Sequence, residues 1–325
     1  YGLNSLIFTN NISKGHKFTF SLVLICIIIS ALGNVAGSLF LETLIDDYIT
    51  PLLGVSNPVF TSMYRSIALM AGIYLIGVVA TYVYNILMVS ISQGIQKKIR
   101  DELFAHMQTL PIKYFDTHAH GDVMSRYTND IDTLRQMLSQ SIPMAFSSLV
   151  TIVSVFAAML AVSLPLTLIV IVMVALSITV TKTIGGKSSV NFVKQQQTLG
   201  KVNGYIEEMM HGQKEVKVFG RETESKERFD NLNDELRESA TNANIYANIL
   251  MPILGNLGYL QYALIAMFGG AMAVSGIGGL TLGAIASFLQ LSRSFTMPVN
   301  QISQQVSSIV MALAGAERIF ELMDE

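Results

Sequence analysis

The chain has 325 residues, 51% of them hydrophobic and only 14% charged, with a mean hydropathy of +0.49. A water-soluble domain of this size does not tolerate so apolar a composition, so the bilayer is the expected solvent. Its 21 basic and 23 acidic residues nearly cancel, which excludes a net field for nucleic acid, and a lone Cys26 excludes a disulfide framework or thiolate metal site.

In chain order, the sequence starts at Tyr1 with no cleavable signal pattern, and the chain is read as a segment of a longer protein. Residues 1–17 are expected to be an N-terminal cytoplasmic or interfacial segment. Residues 18–41 and 67–91 carry no internal charge and each supply the ~20 apolar residues that cross a bilayer. Residues 136–181 form a charge-free run of 46. As one helix it would reach roughly 70 Å, more than twice the hydrocarbon thickness, so it must fold back. Ser163-Leu164-Pro165 is the breaker, because proline removes a backbone donor and clashes with the preceding turn. A second long charge-free run, 239–292, is interrupted by Ser275-Gly276-Ile277-Gly278-Gly279, a turn signal. Six spans within 18–315 are therefore expected, in an all-α integral membrane fold.

Basic residues set the orientation, because cytoplasmic segments retain Lys and Arg. Residues 92–135 carry six, 182–248 carry ten, Lys14 and Lys17 precede the first span and Arg318 follows the last, together 19 of 21. Both termini are thus expected in the cytoplasm. Helical character also outruns the membrane. Ile95, Ile99, Leu103 and Met107 share one face after the second span, and Met124, Tyr127, Ile131, Leu134 and Leu138 lead into the third. The 182–248 segment repeats the design, giving two long cytoplasmic hairpins that act as levers.

The first tip reads Leu110-Pro111-Ile112-Lys113-Tyr114-Phe115-Asp116, then Gly121-Asp122-Val123-Met124-Ser125-Arg126 and Asn129-Asp130. The second reads Glu207-Glu208, Gly212 and Glu215-Val216-Lys217-Val218-Phe219-Gly220-Arg221-Glu222, and the chain closes on Ala316-Glu317-Arg318-Ile319-Phe320-Glu321-Leu322. These three stations, on a six-span plan, resemble the transmembrane domain of ABC (ATP-binding cassette) exporters of the bacterial multidrug and lipid type, with the type I exporter fold. Ile45-Asp46-Asp47-Tyr48-Ile49 is similar to heterodimeric multidrug members.

The resemblance implies two coupling helices that dock on ATPase domains, near 115–124 and 217–224, and makes 316–325 the linker to a nucleotide-binding domain. It assigns Tyr114, Phe115, Asp116, Gly121, Asp122 and Arg126 to the first tip. Glu215, Lys217, Phe219, Arg221 and Glu222 fall to the second. The aromatics would serve as apolar anchors and the charges as a polar rim; Asp122, Arg126 and Asp130 are equally read as capping and pairing along a solvated helix. The resemblance further implies a second exporter half as homo- or heterodimeric partner, a location in the plasma membrane, and crossing of helices four and five to that partner.

Gly186-Lys187-Ser188 is not a phosphate loop, because Thr181 stands where its first glycine is required. No cofactor is expected in this segment. ATP and Mg2+ belong to a nucleotide-binding domain after Glu325 or on a partner. His118 and His120, two apart, do not make a metal site. Gly33 and Gly37 form a small-xxx-small pair suited to close helix packing.

Candidate cavity residues are Arg293, a charge well inside the last span, its neighbours Gln290 and Phe295, and more weakly Asn256 and Gln261. The alternatives are that the sixth helix leaves the bilayer early or that Arg293 only pairs with another polar residue. Glu42, Asp46 and Asp47 either attract cations or solvate a helix end. The expected function is ATP-driven export of hydrophobic or amphipathic drugs or lipids by alternating access. One competing class is a gradient-driven carrier, for which helices two to five lack the mid-span carboxylate; the other is a non-transporting membrane scaffold or regulatory subunit, which would keep the levers but lack a following ATPase domain.

Overall fold

The computed structural model describes residues 3–53, 55 and 58–325, and their side chains except those of 3–17, 300 and 303. The expected 1–17 segment therefore lies outside the described side chains. Every regular element among the described residues is helical: α1 (Leu3–Thr43), α2 (Thr61–Met107), α3 (Ile112–Thr117), α4 (His120–Ser125), α5 (Ile131–Gln136), α6 (Ile142–Val162), α7 (Leu164–His211), α8 (Gln213–Val218), α9 (Glu222–Val274) and α10 (Leu282–Asp324). At 1.5 Å per residue, the 47 residues of α2 extend about 70 Å, well beyond a ~30 Å hydrocarbon core.

The breaks fall where the sequence marks them. Helix α6 ends at Val162, Ser163 is extended (φ −163°, ψ 114°), and Pro165 enters the first turn of α7, where its missing N–H costs nothing. Between α9 and α10, Gly276, Gly278 and Gly279 take φ of 68°, 73° and 64°, a left-handed run that side chains with a Cβ disfavour.

Five helices among the described residues are long and apolar enough to cross a membrane: 18–52, Thr61–Met107, 120–162, Leu164–His211 and Glu222–Val274. The expected sixth span falls on α10, a 43-residue helix that does not join these five. Gln290, Arg293, Gln301, Gln304 and Gln305 interrupt its apolar run.

One compact unit comprises 1–164 and 268–325. Its core is a column of Ile91, Ile95, Ile99 and Leu103 from α2, joined by Tyr114, Val123 and Ile131, and by Ile319 and Leu322 from the end of α10. The predicted apolar face of α2 is thus the buried one. Leu69, Leu75, Ile76, Val78 and Val79, higher on the same helix, are exposed, as a lipid-facing surface requires. A Cβ on Gly37 would overlap the Tyr74 hydroxyl, so α1 and α2 approach closely at this position.

Among the described residues, three π-helical turns interrupt the helices of this unit, at Leu44–Ile49, Arg126–Asp130 and Met137–Ser141. A π turn inserts an extra residue and rotates the side chains that follow.

The second unit, 165–267, is built on α7, α8 and α9. Lys201 pairs with Glu235 at 3.1 Å, the Tyr205 hydroxyl donates to the Ser225 carbonyl at 3.0 Å, and the Arg228 guanidinium lies 5.2 Å from the Tyr205 ring centre. Val202, Tyr205, Ser239 and Ala243 are buried.

Candidate functional site

The first tip is two short helices, α3 and α4, joined by extended His118 and Ala119. Pro111 holds the backbone extended ahead of α3, which ends one turn later. Tyr114 turns inward, stacked on His118 with ring centres 4.0 Å apart and edge-on to Phe115 at 5.6 Å. Only 6% exposed, Tyr114 packs in the core of its own chain, where it holds the tip in place. Phe115 is half-buried against the same core, whereas Asp116, Gly121 and Asp122 are exposed and Ile112 is 79% exposed.

The second tip has a different shape. The short helix α8 covers Gln213–Val218, earlier than the expected 217–224, because Gly220 adopts φ 64° and ends it. The Arg221 N–H donates to the Val216 carbonyl at 2.9 Å, closing the turn. Phe219 and Val218 stand out, 73% and 71% exposed, beside the exposed Glu215, Lys217 and Glu222. Arg221 pairs with Glu224 at 3.1 Å, an exposed contact that shapes the rim more than it stabilises the fold.

Near the opposite end of the first unit, Asp46 in the first π turn holds the start of α10. Its Oδ1 accepts from the Gly283 N–H at 3.0 Å and its Oδ2 from the Thr281 hydroxyl, while Thr281 caps the helix through the Ala284 N–H at 3.0 Å. Asp46 thus has a partner inside the chain. Arg293 and Gln290 are exposed, and Phe295 is buried against Phe156, ring centres 5.9 Å apart. In the second unit, the exposed Asn256 donates to the Pro252 carbonyl at 2.8 Å, and Gln261 is buried.

The first unit also holds a cavity of about 340 Å³ between α2, the Met137–Ser141 turn with α6, and α10. Its wall includes Asn85, Ser139, Gln140, Thr151, Gln301 and Gln305. No group of three His, Cys, Asp or Glu side chains among the described residues is placed to hold a metal.

A family described as the ABC transporter transmembrane region matches residues 20–299. The chain belongs to this family. Among relatives, the uncharacterized ABC transporter ATP-binding protein YfiC of Bacillus subtilis is 34% identical over 94% of this chain and 49% of its own length. The fatty acid ABC transporter ATP-binding/permease protein of Mycobacterium bovis is 32% identical over 82% of this chain and 42% of its own length. An ATP-dependent lipid A-core flippase of Pseudomonas fluorescens is 27% identical over 75% and 40%. The chain spans about half the length of these ABC transporter relatives, or somewhat less. Family membership and five long apolar helices make it a multi-pass membrane protein.

For this ABC transporter region the structure separates the expected cavity residues. Gln290, Arg293 and Phe295 do not line the 340 Å³ cavity, although α10 contributes to it about one to three turns later through Pro298, Gln301 and Gln305. The amides that do line it were passed over in the sequence. Their signal was two glutamines four apart in an apolar helix, which places both on one face. Asp130 gains a role that its motif did not specify: it is 4% exposed and bonds Arg318.

Proposed function

We propose that this chain is the membrane half of an ATP-driven exporter that moves hydrophobic or amphipathic drugs or lipids by alternating access. Six spans, with α10 as the last and both termini in the cytoplasm, would seat it in the plasma membrane. ATPase domains, which supply ATP and Mg2+ chemistry, dock on the two tips, and a second exporter half completes the pathway. The carrying observation is the second tip, where Phe219 and Val218 are exposed at the end of helices of 48 and 53 residues. An apolar pair kept in solvent so far from the apolar spans is costly unless a partner covers it.

Phe115, Asp116, Gly121, Asp122 and Arg126 form the first docking tip, and Glu215, Lys217, Phe219, Arg221 and Glu222 the second. The 165–267 arm, a compact unit of its own, is read as the part that reaches the partner half. The segment 316–325 serves as a stiff linker: it continues α10 and buries Ile319 and Leu322 in the column that contains Tyr114 and Val123. Movement of an attached ATPase domain would therefore reach the first hairpin through packed side chains.

The roles for which two relatives are named, fatty acid transport and lipid A-core flipping, favour an amphipathic substrate. ATP-dependent uptake of labelled drugs and lipids into inside-out vesicles tests the proposal. Uptake that needs ATP is expected, and uptake driven by an ion gradient alone would overturn it.

A further inference from the structure

The cavity between α2, α6 and α10 has a wall chemistry that selects among amphiphiles. It has a volume of about 340 Å³, and no charged side chain among the described residues lines it. That size falls within the ~300–1,000 Å³ typical of small-molecule sites. Ser139 is only 7% exposed, and its Oγ has no hydrogen-bond partner among the described residues. A buried hydroxyl left unpaired costs free energy, so it marks a place where a ligand or water completes the bonding. Around it stand carboxamides, each both donor and acceptor: Asn85, Gln140, Gln301 and Gln305. The Asn85 Nδ2 gives one of its two N–H groups to the Thr81 carbonyl at 2.8 Å, which leaves its other N–H to donate and its Oδ1 to accept.

A hydroxyl-rich, uncharged group matches such a wall, because each of its hydroxyls also donates and accepts. An ammonium, sulfate or carboxylate does not match. It would enter a neutral site with no countercharge and lose hydration that neutral amides replace poorly. Met144, also in the lining and partly exposed, offers an apolar edge for the start of an alkyl chain.

We propose that this cavity binds the uncharged glycosyl or polyol headgroup of an amphiphile, with Ser139, Gln301 and Gln305 as its main hydrogen-bonding contacts. That this amphiphile is cargo rests on the exporter reading; that the cavity binds it does not. The test uses the full-length protein in nanodiscs and three radiolabelled probes sharing one alkyl chain: a maltoside, a trimethylammonium and a sulfate. Saturable maltoside binding is expected, about tenfold tighter than that of either charged probe, with a loss of about fivefold or more in the Gln301→Leu/Gln305→Leu variant. Gln305→Glu should shift preference toward the trimethylammonium probe. Ser139→Ala, a smaller change, carries the test if the double variant does not fold.

Equal binding of the charged probes, or maltoside binding indifferent to Ser139→Ala and to the glutamine changes, would overturn the proposal. ATP-dependent uptake is scored separately. Maltoside selectivity without ATP-driven uptake would sustain the headgroup site and remove the exporter reading. ATP-driven uptake of the charged probes, insensitive to these variants, would do the reverse.

Discussion

Asp130 and Arg318, 188 residues apart in the chain, form a bidentate pair in which Arg318 Nε donates to Asp130 Oδ2 at 3.0 Å and Nη2 donates to Oδ1. The carboxylate side chain is 5% exposed and the guanidinium side chain 57%, so the pair anchors a solvated arm to a buried charge. A Cβ built on Gly315 would lie 3.4 Å from the Asp130 Cβ, so the glycine leaves room for the approach. Asp130, by its hydrogen bond first and then its charge, holds Arg318 above the usual arginine range. The cation's contribution is present below that range and is lost only as the pH rises through the raised value, so it is constant over working pH. Arg318→Ala should lower the thermal midpoint by several degrees, because it strands a buried carboxylate. The Asp130→Ala/Arg318→Ala double variant should recover part of that loss. Thermal unfolding of the three proteins in one detergent gives the comparison.

The two tips should respond oppositely to loss of an aromatic ring. Tyr114 is buried in the core, so Tyr114→Ala is expected to cost about 3 kcal/mol or more of stability. Phe219 is 73% exposed, so Phe219→Ala should change stability by no more than about 0.5 kcal/mol. If ATPase domains dock there, it should still reduce substrate stimulation of ATP hydrolysis. Denaturation curves and stimulated ATPase rates, measured on both variants, separate packing from docking.

Two glycines predict different tolerance. A Cβ on Gly283 would lie 2.7 Å from the Glu42 carbonyl and clash with the Asp46 carboxylate, atoms fixed by backbone and by the α10 cap. Gly283→Ala is therefore expected to destabilise by about 1–3 kcal/mol. At Gly37 the obstacle is the end of the Tyr74 side chain, which can swing away. Gly37→Ala should cost less, and Tyr74→Leu in the same chain should recover most of what is lost. Thermal midpoints of the single and double variants check the order.

Span boundaries and the apolar lever face were legible in the sequence because they rest on local signals: Pro165, the Gly276–Gly279 turn and the recurrence of Ile95, Ile99 and Leu103. The burial of Tyr114 was not, since an aromatic at a tip reads alike whether it faces inward or outward. The key polar contacts escaped for one shared reason. Asp46, Asp130 and Ser139 each lie in one of the three π turns. Such a turn has no residue signature, yet it rotates the helix face, so α-helical spacing alone does not tell which way these three side chains point. Arg293 drew attention as the one charge in the last span; the neutral glutamines Gln301 and Gln305, which do line a cavity, carried a weaker signal.

The central claim is that force from ATP hydrolysis enters through the two cytoplasmic tips and drives an amphiphile across the membrane. Uptake of a labelled amphiphile into inside-out vesicles, with the wild type and Phe219→Ala compared at equal protein levels, tests it most directly. The account predicts ATP-dependent accumulation by the wild type and a marked loss in the variant without loss of folded protein. Accumulation that follows an imposed ion gradient, ignores ATP and is unchanged by Phe219→Ala would contradict it.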